Sequence, residues 1–262
     1  MLIPLHSIPP TNESIKSPRA VQFLILTNVI IFIYQLYLHY HGISLALNYG
    51  AIPRQLTHIV PFLPPFPNIL DPSLITSLFL HDVRITQGGF LHIIGNLLFL
   101  SAFGPHLENM IGCIKFLLFY LLCGVLATLF FVAFHYSSNV PLIGASGAIA
   151  GVMGAHFVAC PKLRIRCLFL IYIITLPASI VLIPWILIQL FNAHLFYHEA
   201  PIAWSAHIVG FCVGGFLIRK FQRSLPSNRS GRGWAQYDFF PARIQSLSPE
   251  RLGRPKRRPD IL

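Results

Sequence analysis

The sequence predicts an all-α membrane protein, a bundle of six transmembrane helices around a short fourth one. Three observations carry this. Of the 262 residues, 55% are hydrophobic and only 10% charged, where a soluble domain holds about a quarter charged; the mean hydropathy is +0.66. Apolar stretches run over 21–39, 90–105, 114–135, 144–160, 165–191 and 203–218, at or near the roughly 20 residues that a spanning helix needs. The basic residues, finally, segregate to one side of those spans.

That segregation sets orientation. With the N-terminus inside and six spans, the inner side holds Lys16, Arg19, Lys115, Lys162, Arg164, Arg166 and the 11 Lys and Arg between Arg219 and Arg258. The outer side holds only Arg54 and Arg84. Seventeen against two is a strong positive-inside bias. It predicts a multi-pass protein of the cell (inner) membrane with both termini cytoplasmic. The net charge of +11 therefore reports topology and attraction to the lipid bilayer, and nucleic acid is excluded as a partner.

Three regions follow. Residues 1–20 form a cytoplasmic N-terminal segment, 21–222 the six-helix membrane domain, and 223–262 a basic cytoplasmic tail, Pro-, Ser- and Arg-rich and without a core. The first span follows Lys16 and Arg19 but has a long apolar core and no small-x-small cleavage site, so it reads as an anchor. The outer loop 41–89 is proline-rich yet apolar (IPRQLTHIVPFLPPFPNILDP), which predicts burial in the membrane interface rather than disorder. Five cysteines, at or in spans and without a CxxC pair, make neither a disulfide framework nor a zinc site.

The fourth span is the unusual one. Its 17 residues from Gly144 to Cys160 reach about 25 Å against about 30 Å of hydrocarbon. Gly144, Gly147 and Gly151 let neighbouring backbones approach, which predicts a central position. A short helix entered from outside starts below the membrane surface, and Ser146 is among its first residues. The sixth span answers with His207, Gly210 and Gly214 at i, i+3 and i+7, a single stripe that can lie tightly on the fourth helix. The second span carries His92 and Asn96 at i, i+4 on one face. Spans two, four and six all enter from outside, so these polar groups share a depth.

Imidazoles and amides are rare in a bilayer unless they pair or line a watery cavity. A serine attacks an amide when a base takes its proton and donors stabilise the oxyanion. Ser146 is thus the candidate nucleophile and His207 the base, with His92, Asn96 and the Ser146 backbone N–H as oxyanion donors. No carboxylate falls inside the assigned spans; Asp82 and Glu199, in outer loops, stay open as an acidic third member, and a Ser–His dyad is the simpler arrangement. Each of these polar residues could instead be a packing or interhelical hydrogen-bonding group.

The motifs resemble the rhomboid intramembrane serine proteases, from the first span through the sixth. The matching stretches are TSLFLHD, FLHIIGNLLFLSAFGPHLENMIG, GASGAIAGVMGAH and AHIVGFCVGG. The family's GxSG motif falls on Gly144, Ser146 and Gly147, its HxxxN pair on His92 and Asn96, and its AHxxGxxxG element on Ala206, His207, Gly210 and Gly214. The resemblance implies a six-helix bundle, a Ser–His dyad, no metal or other cofactor, and transmembrane protein substrates. Three features depart from the family. The aromatic that some members carry four residues after the nucleophile is Ala150, the Trp-Arg pair of many first loops is missing, and 83–89 (VRITQGG) resembles a small insertion.

The remaining polar residues read as structural. His81, His106, His135, His156, His194 and His198 are assigned to span ends and loops; Gln189 and Asn28 are hydrogen-bond formers. Glu108 and Gly112 fix a turn on the inner side, and Pro177 and Pro184 bend the fifth span, a proposed substrate gate in this family. Two other functions fit parts of the pattern: a proteolytically silent rhomboid-like protein that binds transmembrane helices, which typically loses the serine or histidine kept here, and a small transporter, which would show paired repeats.

Overall fold

A computed structural model describes residues 2–8, 17–58, 66–84, 89–195 and 204–223. Strand β1 (Leu2–Ile8) precedes helix α1 (Arg19–Tyr40). The first loop carries short helices α2 (Leu45–Tyr49) and α3 (Pro53–Leu56), two-residue strands β2 (Thr57–His58) and β3 (Phe66–Pro67), and α4 (Ser73–Thr76), which continues into a 3-10 turn at Ser77–Phe79. Then come α5 (Gly89–Ile111), α6 (Cys113–Phe134), α7 (Ser146–Ala159), the strands β4 (Arg164–Phe169) and β5 (Tyr172–Pro177), α8 (Ala178–Leu195) and α9 (Trp204–Arg223). The tail from residue 224, positions 85–88 of the 83–89 segment and the connection 196–203 lie outside the described residues.

Four of the described helices, α1, α5, α6 and α8, are long and apolar enough to cross a membrane. Their outward faces carry exposed side chains such as Phe23, Ile30, Leu118, Ile183 and Leu187, an exterior suited to lipid rather than water. Helix α7 is shorter, 14 residues or about 21 Å. It packs against α5, α6, α8 and α9, and every residue but Ser146, Phe157 and Val158 is buried.

Small residues explain how α7 can be surrounded. A Cβ at Gly214 would strike the Gly151 carbonyl, one at Gly210 the Gly147 carbonyl, and one at Gly154 the Phe211 carbonyl. The backbones of α7 and α9 are therefore in direct contact along a glycine seam, as small residues on facing helices allow. On the other side a Cβ at Gly147 would meet Ala127 of α6 at 3.0 Å.

The first loop is packed, not loose. Ala51, Leu56 and Leu74 form a small core with Val132 of α6, and Leu142 packs against it. Ala51 and Leu142 exchange both backbone hydrogen bonds, 3.1 and 2.8 Å, and the Ser77 carbonyl accepts the Gly144 N–H at 2.9 Å. The loop thereby holds the segment that leads into α7.

Three expectations need correction. The fifth apolar stretch is not helical from residue 165: β4 and β5 form an antiparallel hairpin, β1 adds to its free edge in the order β1-β4-β5, and α8 starts only at Ala178. Along β4, exposed Arg164 and Arg166 alternate with buried Ile165 and Cys167, a period-two pattern that continuous hydrophobicity conceals. Pro177 consequently ends a strand, and only Pro184 lies within α8.

Helix α5, secondly, runs on to Ile111, so the buried Glu108 sits inside a span-length helix rather than in an inner connection. Its two carboxylate oxygens accept the N–H groups of Ala20 and Val21, each at 2.9 Å. They cap the start of α1, where Pro18 supplies no side-chain cap. Gly112, at φ +89°, turns the chain from α5 into α6. Thirdly, His81 does lie in a loop, but it is buried, as are His106 within α5 and His156 within α7, all at most 1% exposed. His156 packs edge-on against Phe103 and beside His106, and His81 lies beside Phe32 and His92.

Candidate active site

Ser146 is the first residue of α7, where backbone N–H groups have no intrahelical acceptor and the helix dipole favours negative charge. The chain reaches it through Gly144 at φ +122°, a left-handed conformation that L side chains avoid. His207 enters from α9 across the glycine seam. Its Nε2 lies 2.8 Å from Ser146 Oγ, so two residues 61 positions apart meet because α7 and α9 touch backbone to backbone.

The other side of the imidazole is also engaged. His207 Nδ1 is 2.7 Å from Oε1 of Gln189 on α8. The ring packs beside Trp185, with centroids 6.1 Å apart, and edge-on to Trp204 at 6.2 Å. The aromatic support missing at Ala150 thus comes from two tryptophans elsewhere, while Ala150 is fully buried against the seam. Sequence reasoning missed Trp185 and Trp204 and gave Gln189 only a structural role. A polar side chain in an apolar stretch was the one available signal for Gln189.

His92 approaches from α5. A Cβ built on Gly144 would stand 2.9 Å from His92 Nε2 and 3.6 Å from Ser146 Oγ, so both side chains border one small space that the absent side chain leaves open. Gly144 therefore faces His92 and precedes α7, whereas Gly147, Gly151, Gly210 and Gly214 lie at helix contacts. The Asp82 backbone N–H points to His92 Nδ1 at 3.4 Å. Asp82 itself forms a two-pronged pair with Arg84, 2.9 and 2.8 Å, and that hydrogen bonding holds its carboxyl below the ordinary range. One turn along α5, Asn96 is buried, and its Nδ2 has no hydrogen-bond partner among the described residues. The structure brings His207 onto Ser146 Oγ and sets Ser146 and His92 about one space; Asn96 lies on the same helix face as His92.

These features define a multi-pass membrane protein whose apolar helices enclose a serine hydrogen-bonded to a histidine. The Rhomboid domain family matches residues 72–223, more than half the chain, and the chain belongs to the rhomboid family. It is similar to RHOMBOID-like protein 6, mitochondrial, of Arabidopsis thaliana, 28% identical over 156 residues that cover 57% of this chain and 44% of that protein. It is similar also to the Bacillus subtilis (strain 168) protein named "Putative rhomboid protease YdcA", 33% identical over 147 residues covering 55% of this chain and 64% of that one. The matches span less than two thirds of either relative.

Proposed function

We propose that this protein is an intramembrane serine endopeptidase that hydrolyses peptide bonds in or near transmembrane segments of other membrane proteins. The observation that carries the reading is the 2.8 Å approach of Ser146 Oγ to His207 Nε2 at the start of a buried helix. His207 takes the hydroxyl proton as Oγ bonds to the scissile carbonyl carbon, and the carbonyl oxygen becomes an oxyanion. It then returns that proton to the departing amine, and water repeats the sequence on the acyl-enzyme.

The oxyanion needs donors, not acceptors. A backbone N–H can only donate, so the contact from Asp82 to His92 Nδ1 leaves the His92 proton on Nε2. That is the atom bordering the space at Gly144. Asn96 Nδ2, buried and otherwise unused, and the Ser146 backbone N–H complete the donor set. In this reading Gly144 is kept small for the substrate, and Gly147, Gly151, Gly210 and Gly214 hold α7 and α9 together.

The membrane domain spans residues 21–222 with six crossings, α7 and α9 joining α1, α5, α6 and α8. The N-terminal segment 1–20 and the tail 223–262 lie in the cytoplasm, and the membrane is the cell (inner) membrane, as the seventeen-to-two distribution of basic residues supports. Helix α7 is too short to fill the bilayer, so Ser146 lies below the outer surface yet wetted from it. A substrate helix hides its carbonyls in i→i−4 bonds and must unwind locally. Substrates with small or helix-breaking residues near the outer end of a span are favoured.

The test is cleavage of a single-span reporter by purified protein in liposomes, with Ser146→Ala as control. Cleavage near the outer end of the reporter's span, abolished in the variant, is expected. Equal cleavage by Ser146→Ala contradicts the reading, and intact reporter in both favours a silent helix-binding protein. Orientation is tested separately. A cysteine at position 146 should react with a water-soluble reagent from outside and one at position 230 should not.

A further inference from the structure

Resting on the serine-protease reading, we infer that Gln189 is the positioning residue of His207: its amide oxygen selects the tautomer in which the imidazole can act as a base. An amide oxygen can only accept a hydrogen bond. The 2.7 Å contact between Gln189 Oε1 and His207 Nδ1 therefore requires a proton on Nδ1. A neutral imidazole with its proton there carries its lone pair on Nε2, the atom 2.8 Å from Ser146 Oγ. The other tautomer would place N–H against the hydroxyl and could not receive its proton.

Gln189 does this from a fixed place. It is 5% exposed, among the buried residues of a helix whose other faces are largely open. One turn away on α8, Trp185 lies alongside the same imidazole. Helix α8 thus controls both the tilt of the ring and the position of its proton, and the chain achieves with a neutral amide what an acidic third residue does elsewhere. Among the described residues no carboxylate pairs with His207, and the amide takes the orienting place. A buried carboxylate in an apolar bundle is costly to ionise, whereas an amide orients the ring without a net charge. His92 is set in the opposite sense, its Nδ1 facing the Asp82 N–H. The site then holds one imidazole with a free Nε2 lone pair and one with an Nε2 proton.

The test compares Gln189→Met, similar in size but with only a weak thioether acceptor, with Gln189→Glu, which keeps an oxygen at the same reach. Both are purified as the full chain and assayed in liposomes on the single-span reporter, with thermal unfolding as the fold control. Gln189→Met should lower kcat on the order of tenfold with KM unchanged, while the unfolding temperature falls by no more than the loss of one hydrogen bond implies. Gln189→Glu should recover most of the activity. A nitrogen-15 spectrum of His207 in the unmutated protein should place its proton on Nδ1, and Gln189→Met should show both tautomers. Wild-type kcat in Gln189→Met, failure of Gln189→Glu to recover activity, or an Nε2 proton in the unmutated protein would overturn the inference. Should Gln189→Met not fold, the spectrum of the unmutated protein still decides. That spectrum needs no turnover, so it is separable from the protease reading, which fails if the unmutated protein does not cleave.

Discussion

Gly144 and His92 are matched by shape: the place where a Cβ of residue 144 would stand is 2.9 Å from His92 Nε2 and 3.6 Å from Ser146 Oγ. The φ of +122° at Gly144 fits the same requirement, because only glycine holds that conformation without strain. Replacing it fills the space between the two side chains and pushes His92 away at once.

Gly144→Ala should therefore abolish measurable cleavage, a loss of roughly 100-fold or more given how steeply rate falls with a misplacement of about 1 Å. The strained φ should also lower the thermal unfolding midpoint, so cleavage is compared at a temperature where both proteins are folded. Cleavage at the unmutated rate would show that the space at Gly144 is not used.

The sequence made the reacting groups legible for a physical reason. His92 and Asn96, Ser146, and His207 are polar residues in stretches where polarity is expensive. The glycines around two of them announce close helix contact, which the structure shows as the α7–α9 seam. What stayed hidden were features that hydrophobicity does not encode. The β4–β5 hairpin, which β1 joins, is as apolar as a span, so only the alternation of Arg164, Ile165, Arg166 and Cys167 distinguished it. Trp185 looks like any lipid-facing aromatic until α8 is placed, and Gln189 gains its meaning from the orientation of a ring on another helix. Glu108 reads as part of an inner turn from the sequence, and only the packing of α1 against α5 reveals that it satisfies two N–H groups of α1.

Removing a donor from a pre-organised oxyanion site costs about 100- to 1,000-fold in kcat. Asn96→Ala and His92→Ala should each fall in that range, with KM little changed. Asn96 Nδ2 has no hydrogen-bond partner to lose among the described residues, so Asn96→Ala should keep its thermal stability. A stability loss with an unaltered rate would make the pair structural.

The carboxylate of Glu108 should matter to the fold and not to the chemistry. Glu108→Ala leaves two buried N–H groups at the start of α1 without their acceptors, a loss of about 1–3 kcal/mol. The unfolding temperature should fall, and Arg19 and its neighbours should become more open to proteolysis. Glu108→Gln, which retains an acceptor, should lose less. An unchanged unfolding temperature in Glu108→Ala would contradict the capping role.

Along the seam, Gly214→Ala forces a methyl group onto the Gly151 carbonyl. Overpacking of this kind costs about 1–3 kcal/mol and should move His207 relative to Ser146. A lower unfolding temperature together with reduced cleavage is expected. Wild-type values of both would mean that α7 and α9 have room to part.

The most direct measurement is covalent labelling of the purified protein by a serine-reactive fluorophosphonate, with the modified residue identified by mass spectrometry. The probe needs both an activated hydroxyl and its base, whatever the natural substrate. Modification of Ser146 alone, lost in Ser146→Ala and reduced to background in a folded His207→Ala, is the result predicted by the 2.8 Å contact between them. Labelling that persists in His207→Ala, or that falls on another serine, would contradict the account.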